Sequence, residues 1–267
     1  MDTGRSIGDH LRAWRQRRRM SQLDLASEAE ISTRHLSFVE SGRSQPSRDM
    51  VLHLAERLDI PLRDRNVLLV SAGFAPMFPE RQLEDPQLRS ARRAIELVLT
   101  GHEPYPALAV DRHWQLVAAN SALERLLGGA APSLLVPPIN VLRLSLHPEG
   151  LAPRIANLAQ WRQHLLERLR RQVDLSADPV LADLLDELRK YPAPARGGRP
   201  PDGPSGDFGG VVIPFRLVSE GAVLSFFSTT TVFGTPLDIT LSELALEAFF
   251  PADPRTGEAL NRLARKA

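Results

Sequence analysis

Between Gln22 and Arg43 the chain writes two short amphipathic helices with almost nothing between them, and few folds accommodate that arrangement. Ser21-Gln-Leu-Asp24 has the form of a capping box, with Asp at the position usually held by Glu or Gln. It opens a helix carrying Leu23, Ala26 and Ala29, and Ala26 is small where two helices must cross closely. Ser32 caps the second helix, whose Leu36 and Val39 face inward. Upstream, Ile7, Leu11 and Trp14 recur at helical spacing, followed by the cationic end Arg15 to Arg19. Downstream, Ser47 after Pro46 starts a fourth helix with Val51, Leu54 and Leu58 on one face. Pro61 begins a fifth and Gly73 ends it. The expectation is an all-α domain of five short helices over residues 1–75.

The chemistry of that pair of helices is specific. With Ile31, Leu36 and Val39 fixing the second helix against the core, Thr33, Arg34 and Ser37 face outward. A helix held this way can enter the major groove with its N-terminal residues at base edges. Gln22 stands at the start of the preceding helix, where the helix dipole favours a phosphate. Gly42-Arg43-Ser44 adds a tight turn and a cation beside the backbone. The set expected on double-stranded DNA is Gln22, Ser32, Thr33, Arg34, Ser37, Arg43 and Ser44. Arg34 is the residue expected to read a guanine, because a guanidinium matches its two acceptors. Gln22, Arg43 and Ser44 position the backbone and carry no sequence information. Glu40 reads as a structural ion-pair partner; His35 is either a further contact or a partner for Glu40.

This stretch resembles the lambda-repressor-like helix-turn-helix domains of the Xre family, through Gln22-x-x-Leu25-Ala26 and Glu40-x-Gly42-Arg43. The family usually has Gly where this chain has Glu30, at a turn position that favours positive φ.

After Gly73 the texture changes. Ala75-Pro-Met-Phe-Pro79 is a stiff connector, placed at residues 76–88, ahead of a second domain over 89–267. Residues 86–102 return to helix. Ala107–Asp111 and Trp114–Ala119 read as strands turning at Arg112-His113, with a short helix over Ala119–Leu127. Residues 151–173 and 178–190 are helical, and Pro192–Gly210 is a Pro/Gly-rich loop. Val211–Val218 and Ala222–Phe233 are rich in β-branched and aromatic residues and meet at the hairpin turn Ser219-Glu-Gly221. Leu237–Phe249 reads as strand at its start and helix by Leu244. Strands flanking a helical middle imply an α+β domain with an antiparallel sheet.

Composition narrows the function. Of 267 residues 43% are apolar, enough for a sizeable core, and 33 basic against 32 acidic side chains give a formal charge of +1. A near-neutral total leaves room for a small basic face. There is no cysteine, which excludes disulfides, thiolate nucleophiles, zinc fingers and cysteine-ligated clusters. The N-terminus lacks the apolar run of a secretory signal, and no stretch is apolar enough to span a membrane, so the expected location is the cytoplasm, without membrane association. Gly197–Gly206 lacks the Gly-Lys-Ser/Thr of a phosphate loop, no Gly-x-Ser-x-Gly elbow occurs, and Asp183 with Glu187 reads as a solvated helix face. The expectation is that the chain is not an enzyme and has no catalytic residues. His102, His113, His147 and His164 lack metal-ligand spacing, so no metal and no resident cofactor are expected. A histidine-ligated haem is left open; an absorption spectrum decides it.

Beyond the first domain the chain resembles the MmyB-like regulators over its whole length. The resemblance is carried by Arg34-His-Leu-Ser-Phe-Val-Glu40, Pro46-Ser-Arg-Asp-Met-Val51, Val67-Leu-Leu-Val-Ser-Ala-Gly-Phe-Ala-Pro76 and Asn140-Val-Leu-Arg143. It continues through His147-Pro-Glu-Gly-Leu-Ala-Pro-Arg154, Trp161-Arg162, Thr235-Pro-Leu-Asp238 and Phe250-Pro-Ala-Asp253. It implies a PAS-like C-terminal domain that senses a small amphipathic ligand, with a bound fatty acid the leading candidate. A cavity between sheet and helices would be walled by apolar side chains. The candidates are Trp114, Val117, Leu123, Leu142, Leu144, Trp161, Leu165, Phe215, Leu224 and Phe226, each of which can equally be plain core. For an acidic head group the candidates are Arg143, His147 and Arg154, which can instead pair with an internal acid or lie on the surface. A homodimer is expected, because one small reader offers few base contacts and paired half-sites supply the rest. The alternative is a C-terminal domain that serves dimerisation or a partner protein and takes no small ligand.

Overall fold

The computed structural model describes residues 5–192, 213–234 and 236–265. The chain divides into two compact units: residues 1–82 with 234–242, and residues 83–233 with 243–267. The connector up to Gln82 therefore belongs to the first unit, together with a short stretch from late in the sequence.

The first unit opens with five helices: α1 (Ile7–Arg17), α2 (Gln22–Glu28), α3 (Thr33–Glu40), α4 (Arg48–Arg57) and α5 (Leu62–Ser71). Their starts are written locally. Ser21 and Asp24 form the capping box reciprocally, at 3.1 and 2.7 Å, and Ser32 and Ser47 cap α3 and α4. Pro61 precedes α5, and Gly73 follows it at φ +83°. Leu11, Leu25, Leu36, Val39, Leu54, Leu58, Leu68 and Leu69 make the core, all essentially inaccessible to water. Of the apolar residues that α2 carries, Leu23 is 66% exposed, and Leu25 is the leucine that the helix buries. A helix of seven residues turns barely twice, so its apolar period does not fix which face points in.

The second unit begins with a 3₁₀ turn at Pro86–Leu88 and runs through α6 (Arg89–Gly101), β1 (Ala107–Val110), β2 (Leu116–Ala119) and α7 (Ser121–Leu126). It continues with α8 (Val141–Leu146), α9 (Leu158–Ser176), α10 (Pro179–Lys190), β3 (Phe215–Ser219) and β4 (Ala222–Val232). The chain then visits the first unit, where α11 (Ile239–Ser242) lies, and returns as β5 (Ala245–Pro251) and α12 (Pro254–Arg265).

The five strands form the expected PAS-like antiparallel sheet in the order β2-β1-β5-β4-β3. β3 and β4 are a hairpin turned by Glu220 and Gly221, both at positive φ, as the Ser219-Glu-Gly221 pattern implied. The order of structures in 237–249 is the reverse of that expected: helix first, at Ile239–Ser242, and strand after, from Ala245. Ala245-Leu-Glu-Ala248 carries helix-forming residues, but β5 lies between β1 and β4 and takes hydrogen bonds on both edges. Its buried Glu247 is tolerated because Arg168 of α9 ion-pairs with it. The helix expected from residue 151 starts at Leu158, after a 3₁₀ turn at Ala152–Arg154. Helices α8 and α12 were not anticipated. Most of the Pro192–Gly210 loop lies outside the described residues.

Three buried asparagines tie the loops of this unit down. Asn120 caps α7 and donates to the carbonyls of Leu99 and Tyr105. Asn140 caps α8 and donates to His113, and Asn157 joins the start of α9 to Pro214 and Arg216 on the approach to β3. Inward-facing side chains of α8, α9, α10, β3, β4 and β5 complete one core around Leu169, Leu188, Leu217 and Phe226.

Candidate functional site

The first unit presents the start of α3 to solvent. Thr33 and Arg34 are exposed, Ser37 is half-buried, and Leu36 and Val39 are fully buried on the opposite side. Ser32 is exposed and spends its hydroxyl on the His35 amide, so it is first a cap. Arg43 is exposed in the turn after α3, beside a half-buried Ser44. The geometry adds Phe38, which the sequence reading passed over. Its ring lies under both cations, 5.3 Å from the Arg34 guanidinium and 5.9 Å from that of Arg43. An aromatic face holds arginines in place without neutralising them, so both charges stay available. The spacing of Arg34 and Phe38, one helical turn apart, was the available signal.

Glu40, the last residue of α3, is buried and anchors the helix. Arg15 of α1 donates to both carboxylate oxygens, at 2.7 and 2.9 Å, and Gln22 donates to one of them at 2.7 Å. Arg12 lies 3.6 Å away and donates to the Glu40 carbonyl. Burial pushes the Glu40 carboxyl up, but the hydrogen bonds from Arg15 and Gln22, with the charges of Arg15 and Arg12, outweigh it and hold the group below its ordinary value. Glu40 is thus structural, and among the described residues its partners do not include His35. Gln22 lies half-buried at the first position of α2 with its amide nitrogen engaged by Glu40. Glu30, at the turn between α2 and α3, adopts φ +53°, the left-handed conformation for which glycine is favoured.

In the second unit a small cavity of about 30 Å³ lies among Pro106, Leu123, Leu126, Leu127, Leu151, Phe215, Leu217, Phe226 and Phe249. Every lining side chain is apolar. Of the residues expected at such a cavity, Leu123, Phe215 and Phe226 line it. Trp114, Leu142, Leu144, Trp161, Leu165 and Leu224 belong to the surrounding core, and Val117 is 37% exposed. Leu126, Leu127, Leu151, Leu217 and Phe249 went unnamed in the sequence because only the folded sheet brings them together. The rings of Phe215, Phe226 and Phe249 cluster with centroids 5.9 to 6.3 Å apart, and Trp161 packs on Phe215 at 4.8 Å.

The three polar candidates stand outside the lining. Arg143 makes a forked contact with Glu187, at 2.7 to 3.0 Å, and the Tyr191 hydroxyl donates to the same carboxylate at 2.6 Å. Those Arg143 hydrogen bonds hold Glu187 below its ordinary value, while burial and the carboxylate push the Tyr191 phenol up. His147 packs edge-on against Tyr191. Arg154 clamps backbone, donating to the carbonyls of Leu126, Gly128 and Val218. Of the other histidines, His102 contacts the Phe249 carbonyl and His113 pairs with Asp178 at 2.9 Å. Burial, with Arg168 and Arg171 nearby, pushes His164 below its ordinary value. Among the described residues no three His, Asp or Glu side chains gather as metal ligands, and no helix is long and apolar enough to cross a membrane.

Residues 91–263 match the family described as the MmyB-like transcription regulator ligand binding domain. The chain belongs to the MmyB-like transcription regulators. Residues 11–64 match a helix-turn-helix family, so the exposed start of α3 belongs to a DNA-binding domain. An HTH-type transcriptional regulatory protein of Methanoculleus marisnigri is 37% identical over 116 residues, which is 42% of this chain and 37% of that protein. Uncharacterized HTH-type transcriptional regulators of Mycobacterium bovis and Mycobacterium tuberculosis are 31% identical over 122 residues, 45% of this chain and 48% of theirs. The chain thus spans less than half the length of these relatives. A solved structure of an RNA-binding light-oxygen-voltage receptor aligns with 99% of the chain and 64% of its own, at a TM-score of 0.28 and 15% identity, too loose a likeness to bear on function. The chain thus carries a helix-turn-helix domain and a domain of a ligand-binding family of transcription regulators.

Proposed function

We propose that this MmyB-like regulator is a one-component switch: the second domain takes a fatty acid or similar amphipathic molecule, and binding there alters how the first domain holds DNA. The observation that carries the reading is the wholly apolar lining of the cavity within a ligand-binding domain of this family. A lining without a polar group favours a ligand with an apolar body. The cavity measures only about 30 Å³, whereas pockets for drug-sized ligands run to several hundred Å³. The ligand therefore has to part the side chains around it, and parting them moves the sheet or α7. A ligand shifts a protein between arrangements only by binding one of them better, and a cavity too small for the ligand in one arrangement meets that condition.

On the DNA side, Arg34 reads a base edge with Thr33 and Ser37 beside it, while Gln22, Ser32, Arg43 and Ser44 hold the backbone. Two copies bind an inverted repeat, since one α3 covers too few bases for a regulator's specificity. The protein acts where the DNA is, in the cytoplasm. Native mass spectrometry of the purified protein tests the ligand half: a fatty-acid mass carried by the protein supports it. A stable dimer without bound mass, also after incubation with palmitate, supports the second reading, a domain that only dimerises or docks a partner.

A further inference from the structure

One late segment of the chain leaves the second unit and returns to it. β4 and β5 are neighbours in the sheet, and each contributes a side chain to the cavity, Phe226 and Phe249. They are not joined by a tight turn. The connection between them, residues 234–242, is part of the first unit. There Asp238 is 4% exposed and takes a hydrogen bond from Arg81 at 2.8 Å, while its other oxygen accepts from the Thr240 amide at 2.9 Å. The Ile239 amide donates to the Pro79 carbonyl at 2.9 Å, the Thr240 hydroxyl donates to the Arg81 carbonyl, and the Ile239 side chain is buried. Residues 77–81 are held in turn by α5: Asn66 accepts from the amides of Met77 and Phe78 and donates to the Phe78 carbonyl, and Arg63 pairs with Glu80. α5 packs on α1, whose Arg15 grips the last residue of α3.

We propose that residues 234–242 are a strap that transmits the state of the sheet to the DNA-reading helices, with the Arg81–Asp238 pair as its anchor. Both ends of the strap are strands that wall the cavity, so any change in the spacing of β4 and β5 pulls on it. Its middle is fixed by a buried carboxylate, a buried isoleucine and backbone hydrogen bonds, which together resist slipping. The strap rests on the proposed ligand reading for what drives it, but the mechanical link stands or falls separately. Neither Asp238 nor Arg81 is among the residues that line the cavity or those assigned to DNA, so they are positioning residues.

Hydrogen exchange on the full chain tests the link without any ligand. Backbone exchange in Leu62–Ser71 is compared in the wild type, Phe226→Leu, Asp238→Asn and the double variant. Phe226→Leu loosens the sheet beside the cavity and should speed exchange in α5 about threefold or more; in the Asp238→Asn background that acceleration should vanish. If α5 exchanges at the same rate with and without Phe226→Leu, or if the acceleration survives Asp238→Asn, the strap does not transmit. A second arm adds palmitate and measures operator affinity. Asp238→Asn should bind palmitate and operator as the wild type does, but lose the change in operator affinity that palmitate produces. Retention of that change in Asp238→Asn overturns the strap. No palmitate effect in the wild type, with the Phe226→Leu result intact, overturns the fatty-acid reading and leaves the strap standing.

Discussion

Arg15 and Glu40 join the first and third helices of the DNA-binding domain by a two-pronged ion pair, at 2.7 and 2.9 Å, with the carboxylate wholly shielded from water. Removing one partner leaves the other charged and buried, which costs about 3–5 kcal/mol. Glu40→Ala should therefore lower the stability of this domain by that amount in urea unfolding, and a loss below about 1 kcal/mol would show that the pair is not an anchor. The pair also sets an acid limit. The folded-state value of Glu40 lies below its ordinary 4.5, so protonation favours the unfolded chain. Its contribution is whole above about pH 4.5 and is lost as pH falls through the depressed value. Glu40→Gln should remove that part of the acid-unfolding limb.

Glu30 occupies the left-handed region at φ +53° in the turn between α2 and α3. A side chain there costs about 1–2 kcal/mol, against about 0.5–1 kcal/mol for the extra freedom of glycine in the unfolded chain. Glu30→Gly should raise stability by about 0.5–1 kcal/mol in thermal or urea unfolding with operator affinity unchanged; a loss of stability would mean that Glu30 is held by interactions that offset its strain.

Arg34 and Arg43 share the ring of Phe38 but should do different work on DNA. Arg34→Ala should cost about 1–3 kcal/mol on the operator and relax preference at one base pair. Arg43→Ala should weaken all sequences alike and reduce the slope of log affinity against log salt by about one. Binding titrations on operator and scrambled duplexes at several salt concentrations separate the two, and unaltered discrimination in Arg34→Ala would remove it from base reading.

Leu123 lines the cavity from a half-buried position, where a larger side chain meets the least resistance. Leu123→Trp should fill the space and weaken palmitate binding by about tenfold while costing no more than about 1–3 kcal/mol of stability. Undiminished palmitate binding in the folded variant would place the ligand elsewhere.

What was legible in the sequence was local. Ser21, Ser32 and Ser47 announced their helices because a cap bonds an amide two or three residues on, and the Glu30 turn was readable from the glycine it replaces. What was not legible depends on partners far along the chain. β5 read as helix because Glu247 argues against a buried strand until Arg168, 79 residues away, is brought beside it. The cavity was only partly foreseen: Phe215 and Phe226 are plain hydrophobic strand residues, but Leu151 and Phe249 join them only after the sheet has formed. Arg143 stood as a candidate for a head group or for a pair with an internal acid, and Glu187 read as solvated, until the fold set one against the other. The Arg81–Asp238 anchor, spanning 157 residues, had no local signal at all.

The central claim, that occupancy of the sheet domain governs the hold on DNA, is tested most directly by operator affinity at fixed salt with and without saturating palmitate. A coupling of about 1–3 kcal/mol, typical of such switches, should move the operator Kd about 5–150-fold, and operator should move the palmitate Kd by the same factor. An unchanged operator Kd on protein shown by native mass to carry palmitate would contradict it.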